Sequence, residues 1–162
     1  DFQIPPDSAR FRVLHGDGAR YVREAVTAPD VLMVDGFTSD GLPARLSSQR
    51  FYDDCFALLQ PRGTLVLNLH CAHPHYHQHL DRVQRSFGGS MRVADAGDLS
   101  NAIVFACSGP ALDQAGSGIV RRPRGLARAA SQHLLDGFAR VRQALREPAE
   151  RYSLTEPVSP ET

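Results

Sequence analysis

Apolar residues occur along the chain in two alternating patterns, short continuous runs and stripes at helical spacing. The continuous runs predict buried strands, and the clearest are at residues 30–37, 64–69 and 102–107, with shorter candidates at 11–15 and 91–94. Between the runs, apolar positions repeat every three or four residues and predict helices at 19–25, 49–59, 74–87 and 125–146. The order β-α-β-α-β-α-β-β with a final long helix is typical of an α/β fold with a mostly parallel sheet.

The two final strands are expected to run antiparallel. Residues 95–101 form a link between them that is too short for a helical crossover, so the chain must turn back on itself. Residues 109–124 show no regular pattern. The tail at 147–162 is Pro-rich and polar, and we expect it to be disordered. The folded unit is therefore predicted to span residues 1–146.

Composition narrows the class of protein. The chain has 162 residues, 42% of them apolar, and a formal net charge of zero, so it can bury a core but has no basic excess for nucleic acid or an anionic membrane. No apolar run is long enough to span a bilayer, and the first residues do not resemble a signal peptide. The odd number of cysteines, Cys55, Cys71 and Cys107, indicates reduced core thiols. We therefore expect a cytoplasmic protein.

The strongest candidate for chemistry is Asp35, at the end of the apolar run that starts at Val31. In an α/β sheet a buried strand delivers such a carboxylate to the ligand crevice at its carboxyl end. Gly36 follows, and glycine lets the backbone approach a ligand closely. The alternative is an acid that only caps a turn, which is an equally good description of Asp17 in its Gly-Asp-Gly sequence. Asp40, in Ser-Asp-Gly, also fits a solvated turn.

A His-rich segment at residues 70–79 suggests a metal site. Pairs of histidines four residues apart can share one helix face, but the sequence offers no third or fourth ligand at a standard spacing. An exposed, His-rich start of a helix explains the segment better. We therefore predict no metal. The basic cluster at 121–124 is interpreted as a solvated loop, not a nucleic-acid contact.

Three motifs, in order, resemble the spermidine synthases, a family of polyamine aminopropyltransferases on the class I methyltransferase-like (Rossmann-like) fold. Val-Leu-His-Gly-Asp-Gly at 13–18 resembles the family's strand followed by Gly-Asp-Gly/Ala. Val34-Asp35 through Pro43 resembles its Asp-Ser-Ser-Asp-Pro loop and the Gly-Pro after it. Phe51-Tyr52 with residues 59–65 resembles its Phe-Tyr helix and the Leu-x-Pro-Gly-Gly-x-Leu that leads into the next strand. The likeness covers about residues 10–109.

The resemblance implies a role for each matching residue. Asp17 would accept a hydrogen bond from the adenine amino group of the donor, decarboxylated S-adenosylmethionine. Gly18 and Gly36 would let the backbone come close to that donor. Asp35 would take the proton from the attacking amine of a diamine such as putrescine, and Asp40 would hold the ammonium group of that polyamine.

The sequence departs from the family in three respects. Asp40 lies five residues after Asp35, where the family's spacing is three, and Asn68 ends the next strand where the family has Gln. The family's glycine-rich nucleoside loop, its ribose-binding acid and its first two strands precede the Gly-Asp-Gly strand and have no counterpart here; no G-x-G-x-x-G occurs.

The missing strands bear on both structure and function. The resemblance implies the strand order 3-2-1-4-5-7-6, so the strand at 31–37 should keep a bare apolar edge, which a homo-oligomer or another association could cover. The first functional hypothesis is aminopropyl transfer. The alternatives are a non-catalytic methyltransferase-fold scaffold and an S-adenosylmethionine-dependent methyltransferase.

Overall fold

The computed structural model describes residues 4–36, 38, 41–59, 61, 63–95, 100–109 and 125–146. Its four helices are α1 (Gly18–Glu24), α2 (Gln49–Leu58), α3 (Tyr76–Ser86) and α4 (Arg128–Arg146). Its four strands are β1 (Val31–Val34), β2 (Thr64–His70), β3 (Met91–Asp95) and β4 (Asn101–Cys107). A 3₁₀ turn, Ala44–Leu46, precedes α2. The described ranges leave out Asp40, residues 110–124 and the tail at 147–162, so the predictions for them lie outside the described residues.

The strands form one sheet in the order β1-β2-β4-β3. β1 pairs with β2 in parallel, whereas β4 pairs antiparallel with both β2 and β3. Strands β1, β2 and β3 therefore point the same way, and β4 is inserted between two of them in the opposite direction. This arrangement confirms the predicted antiparallel final pair and matches the last four positions of the order 3-2-1-4-5-7-6.

One face of the sheet packs against the helices. Alternate residues of β2 point into the core cluster, while the residues between them are half-buried, as the twofold period of a strand requires. α1 contacts α2, and α2 contacts α3, so these helices follow one another in a layer. The helices contribute seven apolar residues to the cluster: Val22, Phe51, Cys55, Leu59, Leu80, Val83 and Phe87. The helical spacing predicted these as inward positions, but Tyr21, expected on the same side of α1 as Val22, is 54% exposed. Tyr52, for which a core position was expected, is fully buried.

The predicted strand at residues 11–15 is wrong. The segment makes one isolated bridge, between Ser8 and Phe11, and Val13 and Leu14 are exposed. A strand needs a neighbour to satisfy its backbone groups, and none of the described strands lies beside this segment. The local apolar pattern therefore has no sheet to join.

The bare edge that was predicted for the strand at residues 31–37 is present on β1. β1 is the end strand of the sheet and pairs only with β2 among the described residues. Leu32 and Val34 pack on the core, whereas Val31 and Met33, on the other face, are 53% and 76% exposed. A strand edge without a partner, beside apolar side chains that are exposed to solvent, can bind another strand or another chain.

The last helix buries a different face from the one that its apolar spacing predicts. The spacing predicts that Leu134 points inward, but Leu134 is 45% exposed, and α4 instead contacts β3 and buries Ser131 and Ala144. The apolar spacing identified the helix, but the face it presents depends on the part of the sheet that is free to receive it. Among the described residues, no helix is long and apolar enough to cross a membrane.

The cysteines are free, as predicted, but they are not all core residues. Cys55 and Cys107 are buried, and burial raises the pKa of the Cys55 thiol to about 12. Cys71, predicted to be buried, is exposed in the turn after β2 because that turn extends beyond the edge of the core.

Candidate functional site

Asp35 lies directly after β1, as the sequence predicted, and it is held by a residue of the neighbouring strand. Asn68, on β2, donates a hydrogen bond from Nδ2 to Asp35 Oδ1 at 3.1 Å. Because β1 and β2 are parallel, their carboxyl ends meet at one edge of the sheet and bring these two side chains together. The Asn68 Oδ1 atom is buried and has no hydrogen-bond partner among the described residues. The Asp35 side chain is exposed, so one carboxylate oxygen is oriented while the group stays open to a ligand.

Asp17 is the N-cap of α1, and both of its carboxylate oxygens accept hydrogen bonds from the protein. Its Oδ1 accepts hydrogen bonds from the backbone amides of Ala19 and Arg20, at 2.9 and 3.1 Å, and its Oδ2 accepts one from Arg45 Nη1 at 2.8 Å. The Arg20 amide and the Arg45 guanidinium hold the pKa of Asp17 below its usual value. Asp17 is therefore a charged, oriented carboxylate. Its turn-capping role and its predicted binding role are compatible, because each carboxylate oxygen has two lone pairs.

The Leu46 side chain packs against both Gly18 and Gly36, which follow Asp17 and Asp35 in the sequence. A Cβ built on Gly18 would be 3.4 Å from Leu46 Cδ2, and one built on Gly36 would be 2.7 Å from Leu46 Cδ1. The first distance is ordinary contact, whereas the second would force a shift. Gly36 thus packs closely against the end of the Leu46 side chain, which would have to move to admit a Cβ. Its predicted contact with the donor stays a prediction. Through this leucine the 3₁₀ turn holds the Asp17 and Asp35 loops side by side.

The loop after Asp35 closes in a short turn. Thr38 and Gly41 exchange two backbone hydrogen bonds of 2.9 and 3.1 Å, and Thr38 Oγ1 donates a third to the Gly41 carbonyl. Gly41 has φ +100°, which favours glycine, and its backbone contacts the ring of His73 in the turn after β2. This turn carries the segment on which the polyamine was predicted to bind, with Asp40 itself outside the described residues.

The histidines of the His-rich segment form a cluster without a metal-ligand arrangement. The ring centroid of His73 lies 5.5 Å from that of His75 and 6.1 Å from that of His79. His79 is buried, with Nδ1 unpartnered among the described residues, and burial lowers its pKa to about 4, with Arg82 adding to the effect. No group of three or more possible ligands in the described part of the chain has the geometry to hold a metal ion. Of these residues, His73 lies against Gly41 in the segment that follows Asp35.

A groove of about 650 Å³ lies beside Asp17 and Gly18. Leu14 and Tyr21 give it apolar surface, and its charged residues are two acids, Asp17 and Glu24, and two arginines, Arg12 and Arg20. Glu24 is paired with Arg20 and Asp17 with Arg45, so the groove has no excess of negative charge. The site therefore offers an exposed, oriented carboxylate at Asp35 and, beside Asp17, a groove with apolar surface for a flat ligand.

Sequence reasoning missed three residues that shape this site. Arg45 and Leu46 were not identified, since a charged and an apolar residue after Pro43 carry no motif of their own. His73 was identified only as part of a His-rich run. Each acts on a residue far away in the sequence, so no local spacing could have indicated its partner.

Three curated relatives share sequence with the chain. It is 30% identical over 105 residues to a polyamine aminopropyltransferase of Chromobacterium violaceum, and 28% identical to the enzymes of that name from two Neisseria meningitidis serogroups. Each match covers 65% of this chain and 40% of the relative, so the matched segment spans about two fifths of the length of these relatives. No family model matches the chain.

Solved structures share its fold. Human methyltransferase-like protein 13 in complex with SAH aligns over 88% of this chain and 63% of its own, with a TM-score of 0.58 and 23% identity. Spermidine synthase from Thermotoga maritima aligns over 82% and 51%, with a TM-score of 0.53 and 18% identity. A spermidine synthase in complex with the transition-state analogue AdoDATO aligns over 82% and 52%, with a TM-score of 0.54 and 17% identity. These likenesses establish a methyltransferase-like fold.

Proposed function

This chain is spermidine synthase-like in sequence and in fold, and from that premise we propose that it functions in aminopropyl transfer from decarboxylated S-adenosylmethionine to a diamine such as putrescine. The observation that carries the proposal is the placement of Asp35: an exposed carboxylate at the carboxyl end of β1, oriented by the Asn68 amide. The proposed substrates are intracellular metabolites, and we place the protein in the cytoplasm.

The reaction needs a group that accepts a proton from the amine and negative charge that attracts the two cationic reactants. The attacking amine is an ammonium ion at neutral pH, and it must lose a proton before its lone pair can form a bond to the carbon beside sulfur. Asp35 takes that proton, the new C–N bond forms as the C–S bond breaks, and sulfur leaves as a neutral thioether. Both reactants are cations, so the exposed carboxylate of Asp35, whose bond is to the neutral Asn68 amide, would attract them. Holding them in line supplies much of the remaining acceleration.

The residues present fit the nucleoside part of the donor. Asp17 is charged and keeps a free lone pair on Oδ2 beside the one that Arg45 occupies, so it can accept from an adenine amino group. Gly18 has no side chain at the groove, where Tyr21 and Leu14 supply apolar surface. Asp17 and Gly18 would bind the nucleoside, while Asp35, and by the same proposal Asp40, would face the amine. The donor supplies the transferable aminopropyl group as a sulfonium.

Two other functions have an observation in their favour. A non-catalytic scaffold on this fold is favoured by the bare β1 edge. The resemblance implies further strands and a nucleoside-binding loop beside that edge, and the described residues contain no such strand. A methyltransferase using S-adenosylmethionine is favoured by the methyltransferase-like protein that aligns over 88% of the chain. The three functions differ in what they bind and in what they release.

Turnover and calorimetry together discriminate among them. With decarboxylated S-adenosylmethionine and putrescine we expect release of 5′-methylthioadenosine, and Asp35→Asn should lower kcat/KM about a hundredfold or more because it removes the base. Asp136→Asn on α4 is the matched control, since that aspartate is exposed and accepts a hydrogen bond from Gln132 of its own helix, and it should leave turnover unchanged. Release of S-adenosylhomocysteine from S-adenosylmethionine would identify a methyltransferase. No turnover and no binding heat, from a sample with a cooperative unfolding transition, would contradict both enzymes and favour the scaffold.

A further inference from the structure

We infer that His73 is a positioning residue that clamps the Thr38–Gly41 turn against the turn after β2 and so fixes the amine side of the candidate site. Thr38 lies three residues after Asp35, and two backbone hydrogen bonds, 2.9 and 3.1 Å long, tie it to Gly41. A contact that holds Gly41 therefore also acts on Thr38. Among the described side chains, the one that a Cβ at Gly41 would meet is His73.

The contact between His73 and Gly41 leaves no room for a side chain. A Cβ built on Gly41 would lie 2.8 Å from His73 Cδ2 and 3.3 Å from Cε1, with Nε2 nearer still. The backbone of Gly41, at φ +100°, thus packs directly on the imidazole edge. Both a positive φ and an absent Cβ are needed, and only glycine meets both requirements at low cost. Gly41 and His73 form a fitted pair across two loops.

The imidazole is held in one orientation from its other side. His73 Nδ1 accepts a hydrogen bond from the backbone amide of His75 at 3.2 Å, so in the neutral ring the proton is on Nε2, the atom that faces Gly41. His79 on α3 stacks behind, with ring centroids 6.1 Å apart and with only 5% of its own surface exposed. Two loops and a helix therefore determine where the ring lies.

The consequence for the site follows from the position of this turn. Asp35 directly follows β1, and Asn68 lies near the carboxyl end of the parallel neighbour β2. Gly41 comes after Asp35 and His73 comes after Asn68, so the contact between them joins the segments that follow the two strands. Under the proposed function we expect this contact to affect how an amine reaches Asp35. The kinetic part of this inference rests on the proposed function, whereas the structural part does not.

The structural part is tested by hydrogen exchange and by a double-mutant cycle. In His73→Ala we expect the amides of Thr38 and Gly41 to exchange about tenfold faster, because the turn loses its clamp. His73→Asn keeps an acceptor for the His75 amide but lacks the ring, and it should behave as His73→Ala. Gly41→Ala should lower the melting temperature in the wild-type background more than in the His73→Ala background, since the second has no ring to collide with. His77→Ala, at an exposed histidine of the same segment, is the control and should change none of these readouts.

The kinetic part separates positioning from chemistry. His73→Ala should raise KM for the amine about tenfold with kcat within about twofold, and leave KM for the donor unchanged. Unchanged exchange at Thr38 and Gly41, wild-type behaviour of His73→Asn, or additive effects of Gly41→Ala and His73→Ala would each overturn the clamp. If the wild-type protein shows no turnover, the proposed function fails, and exchange and the cycle still decide whether His73 clamps the turn.

Discussion

Arg45 Nη1 donates to Asp17 Oδ2 at 2.8 Å and ties the turn that follows the Asp35 loop to the start of α1. The arginine side chain is largely exposed, so the ion pair lies in water-screened surroundings and contributes little to stability by itself. The other carboxylate oxygen of Asp17 caps the helix through two amides. The cap and the ion pair therefore depend on different oxygen atoms of the same side chain.

Substitutions at Asp17 should separate the cap from the ion pair. Asp17→Ala removes both, and we expect it to lower the melting temperature by about 3–6 °C, because α1 loses its only side-chain cap. Asp17→Asn keeps an oxygen that caps almost as well, and Arg45→Gln keeps the cap entirely, so both should stay within about 2 °C of wild type. Thermal unfolding followed by circular dichroism measures all three. Equal losses in Asp17→Asn and Asp17→Ala would mean that the ion pair stabilises the fold.

Burial of His79 should make stability depend on pH. The pKa of His79 is about 4 in the folded protein and about 6.5 in the unfolded chain, so between these values the unfolded state binds more protons. Its contribution is complete above pH 6.5 and is lost as the pH falls towards 4. The loss in free energy of unfolding should be about 1–3 kcal/mol. The charges of Arg82, His73 and His75 repel a proton on the His79 ring and so lower the pKa of His79 further.

Urea unfolding at pH 7.5, 5.5 and 4.5 measures this dependence. His79→Leu removes the titrating group from the buried site, and the curve of free energy against pH should become flatter in that variant by the amount assigned to His79. His77→Ala should retain the wild-type slope, since His77 is exposed. A wild-type slope in His79→Leu would show that another group is responsible.

The exposed face of β1 should promote association. Val31 and Met33 leave apolar surface beside an edge with no strand partner among the described residues, so we expect concentration-dependent self-association at this face. Met33→Lys places a charge there and should shift the distribution towards monomer in sedimentation velocity. Val26→Lys is the control, because Val26 is 99% exposed but lies off the sheet. Association that persists in Met33→Lys, or that both substitutions abolish equally, would contradict a role for this face.

The sequence by itself determined the elements whose evidence is local. The end of β1 just before Asp35 follows from the apolar run that stops at an acid, and the structure confirms it. Local residue types also account for the Ser48 cap of α2 and for the positive-φ glycines, Gly88 and Gly89, after α3. The antiparallel β3–β4 pair followed from the length of its link. The binding roles of Asp17 and Asp35 remain predictions.

Only the tertiary structure decided what depends on partners distant in the chain. Residues 11–15 have a strand pattern but no neighbouring strand, so their backbone does not extend the sheet. The α4 stripe has helical spacing, yet the face that it buries is set by its contact with β3. Arg45, Leu46 and His73 acquire their roles by touching Asp17, Gly36 and Gly41 across loops. A local pattern reports the conformation that a segment prefers, whereas a contact depends on which surfaces the whole fold brings within reach.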